Sequence, residues 1–256
     1  MKKFEGDLIL SDLDGTLTYK EGLISQQNQD ALNYFMQNGG LFAYCTGRLC
    51  GYVDVFPLKA NAPCVTHNGA LIKQGERTIF SNPFDFDVYE IINDIIENNQ
   101  GITHVRCCTE NNIYVHPEKA SKSESIYKYL FVSDTEQNGE KLINYVRQKH
   151  QSYLEIFRSW NCGIEILNKG STKGNCAKIL KKELNIKNLY CIGDYENDIS
   201  MLKVADLSFA PQNGFSKAKE IADIITPANT QNAVKYMIEY LNKLKSTDYK
   251  SVDFFN

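Results

Sequence analysis

The stretch Leu8–Thr18, LILSDLDGTLT, decides the fold. Its apolar start predicts a buried strand over Leu8–Leu13. Two carboxylates, Asp12 and Asp14, then arrive one residue apart, followed by Gly15 and Thr16. Like charges at the mouth of an apolar strand are expensive to take out of water without a partner, so a compensating group is required nearby.

Working outward, strand and helix patterns alternate. Gln26–Gln37 predicts a helix with Ala31, Leu32, Tyr34 and Phe35 near one face, ended by Gly39–Gly40. Leu41–Thr46 predicts a second buried strand. PCVTHNGALI (63–72) predicts a third, ending in a turn at Asn68–Gly69, with Arg77–Phe80 as hairpin partner of Ala70–Lys73. After Pro83 the texture changes. Asp87–Asn98 predicts an amphipathic helix, ITHVRCC (102–108) and NNIYVH (111–116) strands, and Ser121–Leu130 and Glu136–His150 polar helical segments. YLEIFRS (153–159) and CGIEILN (162–168) predict two strands joined at Trp160–Asn161. From Gly170 the βα alternation returns. Helices are expected at Thr172–Leu184, Asp198–Lys203, Gly214–Glu220 and Gln231–Leu244, strands at Leu189–Gly193, DLSFA (206–210) and ADIIT (222–226), and a loose tail from Ser246. The simplest architecture is a parallel α/β core from residues 1–81 and 170–256, with 82–169 inserted as a smaller α+β domain.

Composition bounds the function. The chain has 256 residues, 43% hydrophobic and 23% charged, which supports a packed core. A net charge of -3 gives no basic footprint for nucleic acid. No apolar run approaches the roughly 20 residues that span a bilayer. The run after Lys2–Lys3 is short and broken by Asp12, so no signal peptide is expected and a cytoplasmic location is. The eight cysteines form no CxxC pair, which argues against zinc and for reduced, buried thiols. Cys107–Cys108 is the pair to watch for redox chemistry, against the alternative that both pack as small hydrophobes.

Ligands of open parallel sheets bind at the carboxyl ends of the strands. The polar groups just past each predicted core strand are Asp12, Asp14 and Thr16, then Thr46–Gly47–Arg48, then Lys173 at the helix entrance KGSTKG, then Asp194, Asn197 and Asp198 in GDYEND. Asp12, Asp14 and Asp194 suit a hard divalent cation such as Mg2+, which would lower the cost of crowding them and draw in a phosphate. Lys173 and the Thr46 hydroxyl are placed to hold phosphate oxygens. One carboxylate can act as nucleophile, forming an aspartyl phosphate, and the other as general acid and base. Lys173 also sits in a first helical turn, where the helix dipole disfavours a cation and a nearby anion would compensate.

DLDGTL (12–17), TGR (46–48), Lys173 and GDYEND (193–198) resemble, in order and spacing, the four motifs of the haloacid dehalogenase-like phosphotransferases. The long insert and HNGA (67–70) are similar to the Cof-type sugar-phosphatase branch. The resemblance implies a Rossmann-like core with an inserted α+β cap that selects the substrate. It implies that Asp12 is the nucleophile and Asp14 the acid/base. It further implies Mg2+ on Asp12, the Asp14 main-chain carbonyl and Asp194. Thr46, Gly47, Lys173 and Asn197 would contact the phosphate of a small phosphorylated metabolite, with Asp198 in support. The family pattern often has an aromatic or apolar residue before the first aspartate; this chain has Ser11.

Other readings stay open at this point. A phosphomutase on the same scaffold would hand the phosphoryl group to a sugar hydroxyl. A non-enzymatic phospho-aspartate switch also gathers carboxylates, a Thr and a Lys on a sheet rim, but lacks such an insert and the DxDGT spacing. Arg48 and His67 read as structural. His104 with Arg106, and Tyr114 with His116, would each share a strand face, as substrate contacts or as a solvated surface.

Overall fold

Leu8, Ile9 and Leu10 are wholly buried in β1 (Asp7–Ser11), as expected of a strand covered on both faces. The computed structural model describes residues 2–20, 22–85, 88–115, 120 and 124–246. β1 is an interior strand of a five-stranded parallel sheet with β4 (Leu41–Tyr44), β13 (Asn188–Ile192), β14 (Leu207–Pro211) and β15 (Ile224–Thr226), in the order β15-β14-β13-β1-β4. Strand order reverses beside β1, so its carboxyl end is the switch point where this architecture binds ligands. The chain is therefore α/β with a Rossmann-like core.

Helix α1 (Gln26–Gln37) has the predicted span. Ser25 Oγ accepts from the Asn28 N–H at 3.1 Å and caps its start, while Leu32 and Phe35 face inward. It packs against α8 (Ala233–Leu244). The hairpin of β2 (Thr18–Lys20) and β3 (Leu23–Ile24) was not foreseen; strands this short carry no periodic signal. Helix α2 (Cys50–Asp54) was missed for the same reason.

Contacts divide the chain into two units. The first comprises Met1–Tyr44, Ala60–Ala62 and Ala177–Asn256, the second Cys45–Lys59 and Pro63–Cys176. These limits do not coincide with sequence boundaries at 82 and 169. The second unit has two antiparallel sheets. One is β5 (Cys64–Thr66), β6 (Leu71–Gln74) and β7 (Arg77–Ser81). The predicted third strand therefore pairs with its own hairpin, breaking at His67–Gly69, where His67, Asn68 and Gly69 all have positive φ.

The other sheet has the order β11-β12-β10-β8-β9: β11 (Leu154–Trp160), β12 (Gly163–Asn168), β10 (Ile126–Ser133), β8 (Ile102–Thr109) and β9 (Ile113–Tyr114). One face forms a core with α3 (Tyr89–Asn98) and α4 (Glu136–His150) through Ile92, Ile95, Val105, Cys107, Phe131 and Val146. The expected helical segment over Ser121–Leu130 is corrected: Ile126–Leu130 is strand, because the aromatic and β-branched run IYKYLFV suits a pleated surface. Ser121–Ser123, Asp87, His116 and the tail beyond Ser246 lie outside the described residues. The remaining helices are α5 (Lys173–Glu183), α6 (Ile199–Leu202) and α7 (Ser216–Ile221). No helix among the described residues is long and apolar enough to cross a membrane.

Candidate active site

In the first unit the sheet positions the acidic motifs. Asp12 follows β1 and stays in the ladder, its N–H donating to the Ile192 carbonyl at 3.0 Å. The Ser11 hydroxyl donates to the Asp12 carbonyl at 2.8 Å. Carboxylate oxygens of Asp12, Asp194 and Asp198 lie within 4.8 Å of one another. Asp12 and Asp198 are buried and Asp194 half-buried. The buried Thr16 hydroxyl donates to Asp194 Oδ1 at 2.6 Å, tying the first motif to the last. Asp198 Oδ2 accepts the N–H groups of Asp194 at 2.9 Å and Tyr195 at 3.0 Å, so it fixes the loop that carries Asp194. Asn197 is buried in the same turn, Glu196–Asp198. Asp14 is exposed, on the turn that a bridge to Thr18 closes.

Gly15 is required in that turn. Its φ is +85°, and a Cβ there would stand 2.4 Å from Asp194 Oδ2. Gly15→Ala is expected to cost about 1–2 kcal/mol for the left-handed backbone alone, and to displace Asp194 as well. A urea denaturation curve checks it; an unchanged midpoint and slope would contradict the close approach.

In the second unit, the TGR and HNG motifs are bonded to each other. The Asn68 N–H donates to the Thr46 carbonyl and the His67 N–H to the Arg48 carbonyl, both at 3.0 Å. The Thr46 hydroxyl accepts the Arg48 N–H at 3.1 Å. Gly69 meets the entry to α5: a Cβ there would lie 2.7 Å from the Lys173 nitrogen. Lys173 itself is fully buried. Arg48 lies over the rings of Tyr52 and Phe56, at 5.8 and 5.9 Å. His67 is fully buried, with Nδ1 3.1 Å from Thr66 Oγ1 and Nε2 2.9 Å from the Thr109 carbonyl. Burial, with the nearby Lys128 charge, lowers its pKa to about 3, so it is neutral at pH 7 and structural.

Sequence reasoning missed Lys128 and Glu165. Both are buried, on β10 and β12, and pair at 2.8 Å. Lys128 Nζ also donates to the Gly47 carbonyl at 2.7 Å, and Asn68 Nδ2 donates to Glu165 Oε2. Burial is the largest single influence and works against the Lys128 charge, but Glu165 and Cys108 together raise the pKa, with Lys173 close enough to oppose. The available signal was a charged residue inside each apolar run, IYKYLFV and GIEILN. Cys107 and Cys108 take opposite faces of β8, and burial raises both thiols, Cys107 to about 12. They pack as protonated side chains.

A parallel sheet whose interior strand β1 delivers DLDGT to an acidic rim defines a class, and comparison with known proteins names it. The sequence profile of the haloacid dehalogenase-like hydrolases matches residues 9–125 and 116–238. The chain belongs to that family, and it is an enzyme, a phosphatase. Among its curated relatives is the 5-amino-6-(5-phospho-D-ribitylamino)uracil phosphatase YwtE of Bacillus subtilis, 27% identical over 91% of this chain and 97% of that protein. A HAD/COF-like hydrolase from Plasmodium vivax has a similar structure, with a TM-score of 0.81 and 25% identity over 95% of this chain and 97% of the other. The HAD subclass IIB sugar phosphatase BT4131 shares the fold, with a TM-score of 0.77 and 20% identity over 92% and 99%.

Proposed function

We propose that the chain is a Mg2+-dependent phosphatase of small phosphate monoesters, sugar phosphates or related metabolites, acting through an aspartyl phosphate on Asp12. The observation that carries this is the convergence of Asp12, Asp194 and Asp198 past the carboxyl ends of the neighbouring strands β1 and β13. An all-oxygen, all-anionic donor set suits a small hard dication. Asp198 Oδ2 is already held by two backbone N–H groups. Asp12, Asp194 and the Asp14 carbonyl are therefore the proposed ligands, with Asp198 holding the loop. The ion would offset the crowded negative charge and let a phosphate dianion approach.

Asp12 attacks phosphorus through a carboxylate oxygen as the ester P–O bond breaks. Asp14 gives its proton to the leaving oxygen. The Asp14 carboxylate then takes a proton from water as that water attacks phosphorus, releasing phosphate and restoring Asp12. Thr46, the Gly47 N–H, Lys173 and Asn197 are the proposed phosphate contacts. Residues 82–169 are the proposed cap, which selects the leaving group. The sugar-phosphatase and ribitylamino-uracil phosphatase names of relatives favour a polyol-bearing ester.

The test is hydrolysis of p-nitrophenyl phosphate. Activity should vanish in EDTA and return with Mg2+ in excess. Hydrolysis that persists at full rate in EDTA would overturn the metal assignment, and no hydrolysis with Mg2+ of this ester or a phosphomonoester panel would overturn the phosphatase reading.

A further inference from the structure

The open face of the second unit's five-stranded sheet carries an arginine with no counter-ion among the described residues. Val105 and Cys107 of β8 face the helices, so His104, Arg106 and Cys108 face the other way. Lys128 is in register with Cys108, Leu130 with Arg106, and Glu165 with Leu130, which puts the Lys128–Glu165 pair on that same face. Arg106 is the diagonal neighbour of Lys128, roughly 7–8 Å away between backbones. Lys128 in turn grips the Gly47 carbonyl. Arg106 thus lies one diagonal step, within a single unit, from the residue that holds the TGR loop.

Glu165 does not neutralise Arg106. It lies two strands away, and its oxygens take Lys128 and Asn68. Arg106 is half-buried; its Nε is buried with no hydrogen-bond partner, and no ion pair engages its guanidinium among the described residues. A buried donor left unsatisfied costs about 1–3 kcal/mol, which an incoming acceptor would recover. Such a nitrogen on a guanidinium is unusual in a sheet that pairs its other charges. The guanidinium fork fits a carboxylate or phosphate in two-point contact.

We propose that Arg106 binds an anionic group on the leaving part of the substrate, so that the favoured esters carry a second negative charge. This rests on the phosphatase reading and narrows its substrate class. Tyr114 is excluded from the subsite because its hydroxyl donates to Glu124 at 2.9 Å.

Calorimetric binding to the full chain bearing Asp12→Asn, with Mg2+ present, compares esters that differ only in that group. The pairs are 6-phosphogluconate against sorbitol 6-phosphate, and glucose 1,6-bisphosphate against glucose 6-phosphate. The first pair reads a carboxylate and the second a phosphate. Charge-assisted hydrogen bonds predict about a tenfold or larger preference for the member with the second anionic group in at least one pair. Arg106→Gln should bring that ratio close to one and Arg106→Lys should restore part of it. Arg147→Gln, an exposed arginine on α4, should leave it unchanged. Equal affinities within both pairs, a preference that survives Arg106→Gln, or no measurable binding of any of the four esters would overturn the proposal. Wild-type turnover of p-nitrophenyl phosphate, measured alongside, tells a failure of this subsite from a failure of the phosphatase reading.

Discussion

Asp12→Asn should lower turnover of p-nitrophenyl phosphate on the order of 10^4-fold or more while the protein stays folded. The two effects come from separate properties of one side chain. An amide is nearly the same size as a carboxylate, so the backbone bonds from Asp12 N to Ile192 and from Ser11 Oγ to the Asp12 carbonyl are untouched. It also removes one of three like charges crowded within 4.8 Å, so the metal-free protein should melt no lower than wild type. The amide, however, is a poor nucleophile for phosphorus. Thermal melting and turnover, measured on the same sample, separate the two. Substantial activity in a well-folded variant would remove Asp12 from its role, and a collapsed melting temperature would make it a structural residue.

Lys128→Met should be the most destabilising single change in the second unit. It leaves Glu165 buried, negative and held only by Asn68, and removes the donor from the Gly47 carbonyl. Breaking a buried pair from one side costs about 3–5 kcal/mol. At about 2–4 °C per kcal/mol for a chain of this size, the melting temperature should fall by about 10 °C. The double variant Lys128→Met with Glu165→Gln should recover much of that loss, because no isolated charge remains and Gln still accepts from Asn68. If the double variant is as unstable as the sum of the singles, the two residues are not coupled.

What the sequence made legible follows from how locally each feature is encoded. The helices Gln26–Gln37 and Glu136–His150 begin after capping residues, Ser25 and Thr135, and carry their own apolar period, so both were readable residue for residue. Asp12, Asp194 and Asp198 were readable because strand ends in a parallel sheet converge whatever the packing. Strand partners were not. Nothing in CVT says that it pairs with LIKQ beside it instead of joining the core sheet. The Ile126–Ser133 strand was taken in part for helix because polar residues precede it. Aromatic packing decided the matter, and that depends on β8 and β12, far along the chain. Lys128 and Glu165 escaped for a related reason: a lone charge in an apolar strand becomes meaningful only beside its partner, 37 residues away.

The way Asp198 uses its charge has a consequence for the proposed metal site. By accepting the amides of Asp194 and Tyr195, it freezes the loop before any ion arrives, and the Phe215 N–H on the Asp194 carbonyl clamps it from the other side. The conformational entropy of presenting Asp194 is lost during folding and not during ion capture. The pocket is thus preorganised: a cation taken up there would exchange under the control of desolvation and charge, with little rearrangement of the chain around it.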